Sequence, residues 1–162
     1  MKAITILQPW ASLIACGAKQ IETRSWPAKY RGTIAIHAGA TNPKTFFKNM
    51  DHCMIDATRA ALGVVDFGGL HRGSVIAIAE LVDCLPIYRI KCHNMGGYYW
   101  TETYLSQNAS LPDCPSPIKI TANELLFGDY TPGRYAWLLA NVRRIEPVPA
   151  KGMQRIWEWN DE

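Results

Sequence analysis

The chain has 162 residues, of which 48% are hydrophobic, and it carries a formal net charge of +3 at pH 7. This length and apolar content suffice for one compact domain and favour a single domain over residues 1–162. No apolar run approaches the roughly 20 residues of a membrane span. The first residues do not resemble a signal peptide. The sequence therefore excludes a membrane-spanning protein and predicts a cytoplasmic location. The mild positive charge permits an anionic partner without identifying one.

The first part of the chain alternates short strands with a helix. Residues 3–7 form a short apolar run that predicts a strand. Residues 8–16 predict a helix, because Pro9 suits a first helical position and Gly17 can end the helix. Residues 33–38 alternate between apolar and other side chains, which is typical of a strand.

The second part is predicted to contain one longer helix, two buried strands and an insertion. Asn42 as a cap and an apolar stripe at helical spacing predict a helix that ends near Gly63. Residues 74–82 and 134–142 predict strands buried in a sheet. Between these strands, residues 85–133 are rich in proline, glycine, asparagine and tyrosine, which indicates a long insertion with a partial helix.

Three charged side chains are crowded into residues 17–24, between apolar runs. If the chain is extended after Lys19, Glu22 and Arg24 point to one face, because side chains alternate along a strand. This arrangement is either a structural ion pair or part of a site. Trp26 favours a site, because a cationic rim beside a flat aromatic surface suits a nucleobase and its phosphate.

Three further residues on the predicted strands allow two interpretations each. Glu80 lies in an apolar row and must be paired or protonated, with Lys19 or Arg24 as its natural partner; the pairing is structural or functional. Tyr135 and Trp137 share one strand face, where they either pack in the core or form a wall against which a base stacks.

The remaining polar candidates are one histidine and the cysteines. His37 lies on the face opposite to its isoleucine neighbours and is either a hydrogen-bonded structural residue or a ligand contact. The five cysteines show no pair at the two-to-four-residue spacing of a zinc site and no disulfide framework. The sequence predicts reduced thiols, no metal site and no cofactor.

The charged segment and its surroundings resemble the signature of the ASCH (activating signal cointegrator homology) family. The resemblance begins with Gly-x-Lys-x-x-Glu-x-Arg over residues 17–24 and covers most of the chain except about residues 85–128. The other matching motifs are Pro9-Trp10-Ala11-Ser12, Trp26-Pro27, Tyr30-Arg31-Gly32, Ile36-His37-Ala38-Gly39, Ala79-Glu80-Leu81, Pro132-Gly133-Arg134-Tyr135-Ala136-Trp137, Lys151-Gly152 and Trp157. It implies an α+β fold, a PUA-like mixed β-barrel flanked by a few helices, with a cleft beside residues 17–24.

The resemblance implies RNA binding or hydrolysis, and the residues of this chain leave three alternatives open. The first is an RNA- or nucleotide-binding domain whose ligand contacts come from Lys19, Glu22, Arg24, Trp26, His37, Tyr135 and Trp137. The second is a small hydrolase acting on RNA or on acylated cytidine, with Lys19, Glu22 and Glu80 as catalytic residues. In the acylcytidine amidohydrolase branch a threonine, its proposed nucleophile, stands where this chain has Glu22, so that reaction is the less expected one. A third alternative is a protein-interaction module that uses the insertion at about residues 85–133.

Overall fold

The computed structural model describes residues 1–47, 50–93, 99–105 and 118–160. The described chain contains eight strands and four helices. In chain order they are β1 (Lys2–Ile6), α1 (Trp10–Ala15), β2 (Ile21–Arg24), β3 (Gly32–Ala38), α2 (Lys44–Phe47), α3 (His52–Leu62), β4 (Ser74–His93), β5 (Tyr99–Leu105), β6 (Ile118–Lys119), α4 (Ala122–Leu126), β7 (Tyr135–Pro149) and β8 (Ile156–Glu158). None of the helices within these described ranges is long and apolar enough to cross a membrane.

All eight strands belong to one mixed sheet. Six of them follow the order β2-β7-β4-β3-β1-β8, while β5 pairs with β4 and β6 pairs with β5. β1 and β3 are parallel, and the other pairs are antiparallel. The register between β4 and β7 shifts at three places, and such bulges bend long strands and increase their twist. The sheet therefore curls into a half-barrel, and the expected α+β class is confirmed.

The curled sheet separates apolar clusters on its two faces. Ile34 and Ile36 of β3 pack in the main cluster with helix α1, whereas Ala35 between them packs with Trp157 on the other side. This alternation follows from the two-residue period of a strand. Trp137 of β7 lies in the main cluster, so β7 contributes to the centre of the core.

The long predicted helix is interrupted. Asn42 does begin a helical turn, because its side-chain oxygen accepts a hydrogen bond from the backbone N–H of Lys44 at 3.0 Å. The chain then restarts at Asp51, whose carboxylate caps α3 by accepting from the N–H of Cys53 at 2.9 Å. Gly63 ends α3 in the left-handed conformation at φ 66°, as expected. Aspartate is as strong a cap as asparagine, and it divides the apolar stripe into two helices.

The two buried strands were predicted too short. β4 continues from the expected 74–82 to His93, and β7 continues from 134–142 to Pro149. Part of the predicted insertion therefore belongs to the sheet, since the end of β4 pairs with β5 through the register Ile87↔Leu105 to His93↔Tyr99. Residues 94–98 and 106–117 of the predicted insertion lie outside the described residues.

Candidate functional site

A cavity of about 540 Å³ lies beside β2, between the end of β1 and the segment that follows α4. This volume is in the range of small-molecule sites, roughly 300–1,000 Å³. Polar, aromatic and aliphatic side chains share its lining. The lining residues are Thr5, Ile6, Leu7, Trp10, Glu22, Thr23, Arg24, Ser25, Trp26, Met54, Leu126, Phe127, Gly128, Asp129 and Arg134.

Glu22 and Arg24 meet at this cavity, as the extended conformation of β2 predicts. The Nε atom of Arg24 lies 2.9 Å from Oε1 of Glu22. A second nitrogen, Nη2, donates a hydrogen bond to the carbonyl oxygen of Thr5 at 2.8 Å. Of these two contacts only the one to Thr5 has hydrogen-bond geometry, because the buried Nε has no hydrogen-bond partner among the described residues. Nη1 takes part in neither contact. The cavity therefore contains a carboxylate and a guanidinium held in a defined geometry.

Lys19 is 1% exposed and lies behind the cavity wall. Its Nζ donates a hydrogen bond to the carbonyl oxygen of Ile21 and lies 3.9 Å from Oε2 of Glu124. A Cβ atom added to Gly128, which lines the cavity, would be 3.2 Å from this Nζ. Burial lowers the pKa of Lys19, while the charges of Glu22 and Glu124 raise it. The ammonium therefore lies directly beneath the Gly128 wall rather than at the rim that the sequence predicted.

Asp129 and Arg134 form a second charged pair in the cavity lining. Arg134 Nε lies 3.3 Å from Oδ2 of Asp129, and Nη2 donates to the carbonyl oxygen of Thr23 at 3.3 Å. The backbone N–H of Asp129 donates to Oγ1 of Thr23 at 3.2 Å. A hydrogen bond from the Thr131 hydroxyl is the main cause that lowers the pKa of Asp129. The sequence did not identify either residue as a site candidate, although Arg134 lies within the family-like motif at residues 132–137.

Trp26 lines the cavity, and Trp10 lies with it in the lining. The ring of Trp26 meets Trp137 edge to face, with centroids 4.7 Å apart and an interplanar angle of 86°. Trp137 itself is 1% exposed, and its Nε1 donates to the carbonyl oxygen of Trp26 at 3.4 Å. The edge-to-face contact fixes the orientation of the Trp26 ring.

The structure does not place Tyr135 or Trp137 in the lining. Tyr135 is half-buried against the main core cluster, and Trp137 belongs to that cluster. β7 pairs with β2 on one side and with β4 on the other, so this face of the strand is covered by the core. The expected base-stacking wall on β7 is therefore corrected to core packing, and aromatic surface at the cavity comes from tryptophans outside β7.

Glu80 lies away from the cavity and is exposed. Its Oε2 accepts a hydrogen bond from Nδ2 of Asn141 at 2.9 Å. The predicted pairing with Lys19 or Arg24 is wrong, and Glu124 takes that place beside Lys19. The register between β4 and β7 shifts between Ile78 and Glu80. Because a bulge re-aims the side chains next to it, the apolar row of β4 does not carry this carboxylate into the interior.

His37 is buried on the other face of the sheet. Its Nε2 lies 3.0 Å from the carbonyl oxygen of Ala150, and its ring meets Trp157 edge to face at 5.7 Å. Gly152 lies so close that an added Cβ would be 2.7 Å from His37 Nδ1. Burial lowers the pKa of His37. The structure supports the structural interpretation of this histidine and does not place it in the cavity lining.

Comparisons with known proteins place the chain among ASCH-domain sequences. A family model described as "ASCH domain" matches residues 4–149. Activating signal cointegrator 1 from Homo sapiens is 32% identical over 91 residues, which cover 54% of this chain and 15% of that protein. The protein of the same name from Mus musculus is 31% identical over 85 residues, covering 51% of this chain and 14% of that protein. This chain thus matches only a small part of the length of these relatives.

A solved structure is also similar to the whole chain. It is the crystal structure of a mutant ZmASCH protein from Zymomonas mobilis, with a TM-score of 0.45 and 16% sequence identity. The superposition covers 99% of this chain and 90% of that chain.

Proposed function

Since the chain belongs to the ASCH domain family, with the family match extending over residues 4–149, we propose that its cavity binds single-stranded RNA by enclosing one nucleotide. The observation that carries the proposal is the combination of an aromatic lining with a fixed carboxylate–guanidinium pair in a cavity of about 540 Å³. Sequence-specific RNA recognition commonly uses unstacked bases that stack on aromatic side chains and form hydrogen bonds along their edges.

Each part of the lining has a role in this proposal. Trp26, supported edge-on by the buried Trp137, offers its ring to the base. Arg24 has Nη2 hydrogen-bonded to Thr5 and Nε beside the Glu22 carboxylate, and its Nη1 contacts a phosphate oxygen. Glu22 accepts hydrogen bonds only, when ionised, and so favours a base edge that presents an amino group. Arg134 adds a second cation to the same lining.

A hydrolase acting on RNA or on acylated cytidine is the second candidate. The observation that favours it is Lys19, a buried amine whose pKa is lowered by burial, because such an amine can serve as a general base. Two features speak against it. The Nζ atom lies behind Gly128 and donates to a backbone carbonyl, and the Thr23 hydroxyl, the nearest alternative to the missing nucleophile, accepts the N–H of Asp129.

Binding is tested by fluorescence anisotropy with a labelled single-stranded oligoribonucleotide at several salt concentrations. Trp26→Ala should weaken binding by about 1–3 kcal/mol, the value of one base stack, with little change in salt dependence. Arg24→Gln should instead reduce the slope of log affinity against log salt by about one phosphate contact. Arg72→Gln, at an exposed arginine outside the cavity lining, is the charge control and should leave the slope less affected.

The same preparations separate binding from chemistry. Wild type and Glu22→Gln are incubated with the oligoribonucleotide and with acylated cytidine, and products are followed chromatographically. We expect RNA binding in both, with no or very slow hydrolysis of acylated cytidine. RNA binding that is absent, or unchanged in both Trp26→Ala and Arg24→Gln, would refute the proposal. Rapid hydrolysis that is lost in Lys19→Ala would favour the second candidate.

A further inference from the structure

Helix α4 begins with a sequence that usually forms a reciprocal cap. Thr121 is the N-cap, and its Oγ1 accepts a hydrogen bond from the backbone N–H of Glu124 at 3.3 Å. In a capping box the glutamate at this position returns the bond to the N-cap N–H. Here the carboxylate points away from its own helix, and its Oε1 accepts a hydrogen bond from the backbone N–H of Gln20, the residue before β2. The position of the Glu124 side chain is therefore set by tertiary contacts and not by a reciprocal cap of α4.

The second carboxylate oxygen of Glu124 has two partners of its own. Oε2 accepts a hydrogen bond from the hydroxyl of Tyr130 at 3.1 Å and lies 3.9 Å from Nζ of Lys19. Glu124 is 9% exposed and Lys19 is 1% exposed. One buried carboxylate thus connects Lys19 and Gln20, in the segment before β2, with Tyr130 in the segment after α4.

The segment between Glu124 and Tyr130 forms one wall of the cavity. Residues 126–129 all line it, together with Glu22 and Arg24 of β2. Glu124 and Tyr130, which flank this wall, are hydrogen-bonded to each other, and Glu124 also accepts the N–H of Gln20 just before β2. The start of the wall is therefore connected to the residue that precedes β2. The Glu124 carboxylate thus anchors the start of the wall, while the N–H of Asp129 bonds to Oγ1 of Thr23 at its other end.

The charges around Lys19 come from two elements. Glu22 and Arg24 on β2 act on it with opposite signs, and Glu124 on α4 adds a second attractive charge. The hydroxyl of Tyr130 is directed at Glu124. A buried ammonium is costly unless it is paired, and Glu124 of α4, two residues before the wall, lies 3.9 Å from its Nζ.

We propose that Glu124 is a positioning residue of the cavity: through its bonds to Gln20 and Tyr130 its carboxylate holds the start of the wall of residues 126–129 beside β2, and it is the acidic neighbour of Lys19 beneath that wall. The effect on Lys19 and on the wall follows from these contacts alone. The consequence for RNA rests on the function proposed above. Loss of the carboxylate should lower RNA affinity by misplacing the wall, although Glu124 itself is not in the cavity lining.

The charge part of the proposal is tested by NMR of protein labelled with ¹³C-lysine. The ε-methylene resonance of Lys19, assigned by its loss in Lys19→Arg, is followed from neutral to strongly alkaline pH. In Glu124→Gln the titration midpoint of Lys19 should move to lower pH, because an opposite charge nearby favours the protonated form. In Glu146→Gln, at an exposed glutamate of β7, the midpoint should not move. An unchanged midpoint in Glu124→Gln overturns this part.

The positioning part uses Glu124→Asp, which keeps the charge and so guards against loss of the fold. The shorter side chain cannot reach Gln20 and Tyr130 at the same time, so amide hydrogen exchange of residues 126–129 should accelerate while the Lys19 midpoint stays near that of wild type. RNA affinity should fall about two- to tenfold, equivalent to one hydrogen bond. Unchanged exchange overturns the positioning part. If wild type fails to bind RNA, the proposed function is refuted, while the exchange and titration results still decide the role of Glu124.

Discussion

Replacement of Trp137 by alanine should destabilise the fold rather than remove a ligand contact. The indole is 1% exposed, its ring packs edge to face on Trp26 at 4.7 Å, and its N–H donates to the Trp26 carbonyl oxygen at 3.4 Å. Truncation of a buried tryptophan to alanine costs about 3–5 kcal/mol. Within that total, the aromatic contact accounts for about 0.5–1.5 kcal/mol and the hydrogen bond for about 1 kcal/mol.

The assay is urea unfolding followed by far-ultraviolet circular dichroism, because the substitution removes a fluorophore. For a slope of about 2 kcal/mol per molar urea, the expected loss corresponds to a midpoint shift of roughly 2 M. Trp137→Phe keeps a ring but loses the N–H donor, so its loss should be smaller. Val65→Ala, at a side chain that is 88% exposed, is the control and should stay within about 0.5 kcal/mol of wild type.

The core assignment of Trp137 would be refuted by a small loss of stability combined with a large loss of RNA affinity. If Trp137→Ala lost less than about 1 kcal/mol of unfolding free energy but bound RNA much more weakly, the indole would be a ligand contact and the core assignment would fail. Because Trp137 supports Trp26, affinities should be compared on the folded fraction and beside Trp26→Ala. A stability loss without any selective loss of affinity would support the structural role.

Three further predictions concern titration and packing. Burial lowers the pKa of His37, so at acidic pH the unfolded chain takes up a proton that the native state does not. The free energy of unfolding should therefore fall as pH drops below about 6.5. His37→Gln should reduce this pH-dependent loss more than the control His52→Gln, which changes an exposed histidine. Gly128→Ala should destabilise by about 1–3 kcal/mol in urea unfolding, since its Cβ would lie 2.6 Å from Cε2 of Tyr130. The pKa of Asp129 is lowered in the fold, so its ionised carboxylate contributes to stability above about pH 4, and this contribution is lost as pH falls through the folded pKa. Asp129→Asn should lack this acid-dependent loss. The measurement is the unfolding free energy between about pH 5 and about pH 2.

Local rules were sufficient for the elements next to the site. The alternation of β2 predicted that Glu22 and Arg24 share a face, and their ion pair at the cavity has this geometry. Gly17 ends the first helical segment, with φ of 80°, as its position predicted. The prediction of a single long helix failed for a reason that is also local. Asp51 caps a second helix, α3, within the continuous apolar stripe.

The partners of Lys19 and Glu80 could be known only from the tertiary structure. The sequence predicted that Glu80, in an apolar row, must be paired or protonated, with Lys19 or Arg24 as its natural partner. The burial of Lys19 itself is known only from the structure. Glu80 was expected to be the partner of Lys19 or Arg24. The strand register shifts next to Glu80, and its carboxylate accepts a hydrogen bond from Asn141 instead. The partner is Glu124, which also binds the N–H of Gln20 across a separation of 104 positions in the chain. Pairing at that distance depends on the tertiary fold that brings α4 beside the start of β2, and no local periodicity contains that information.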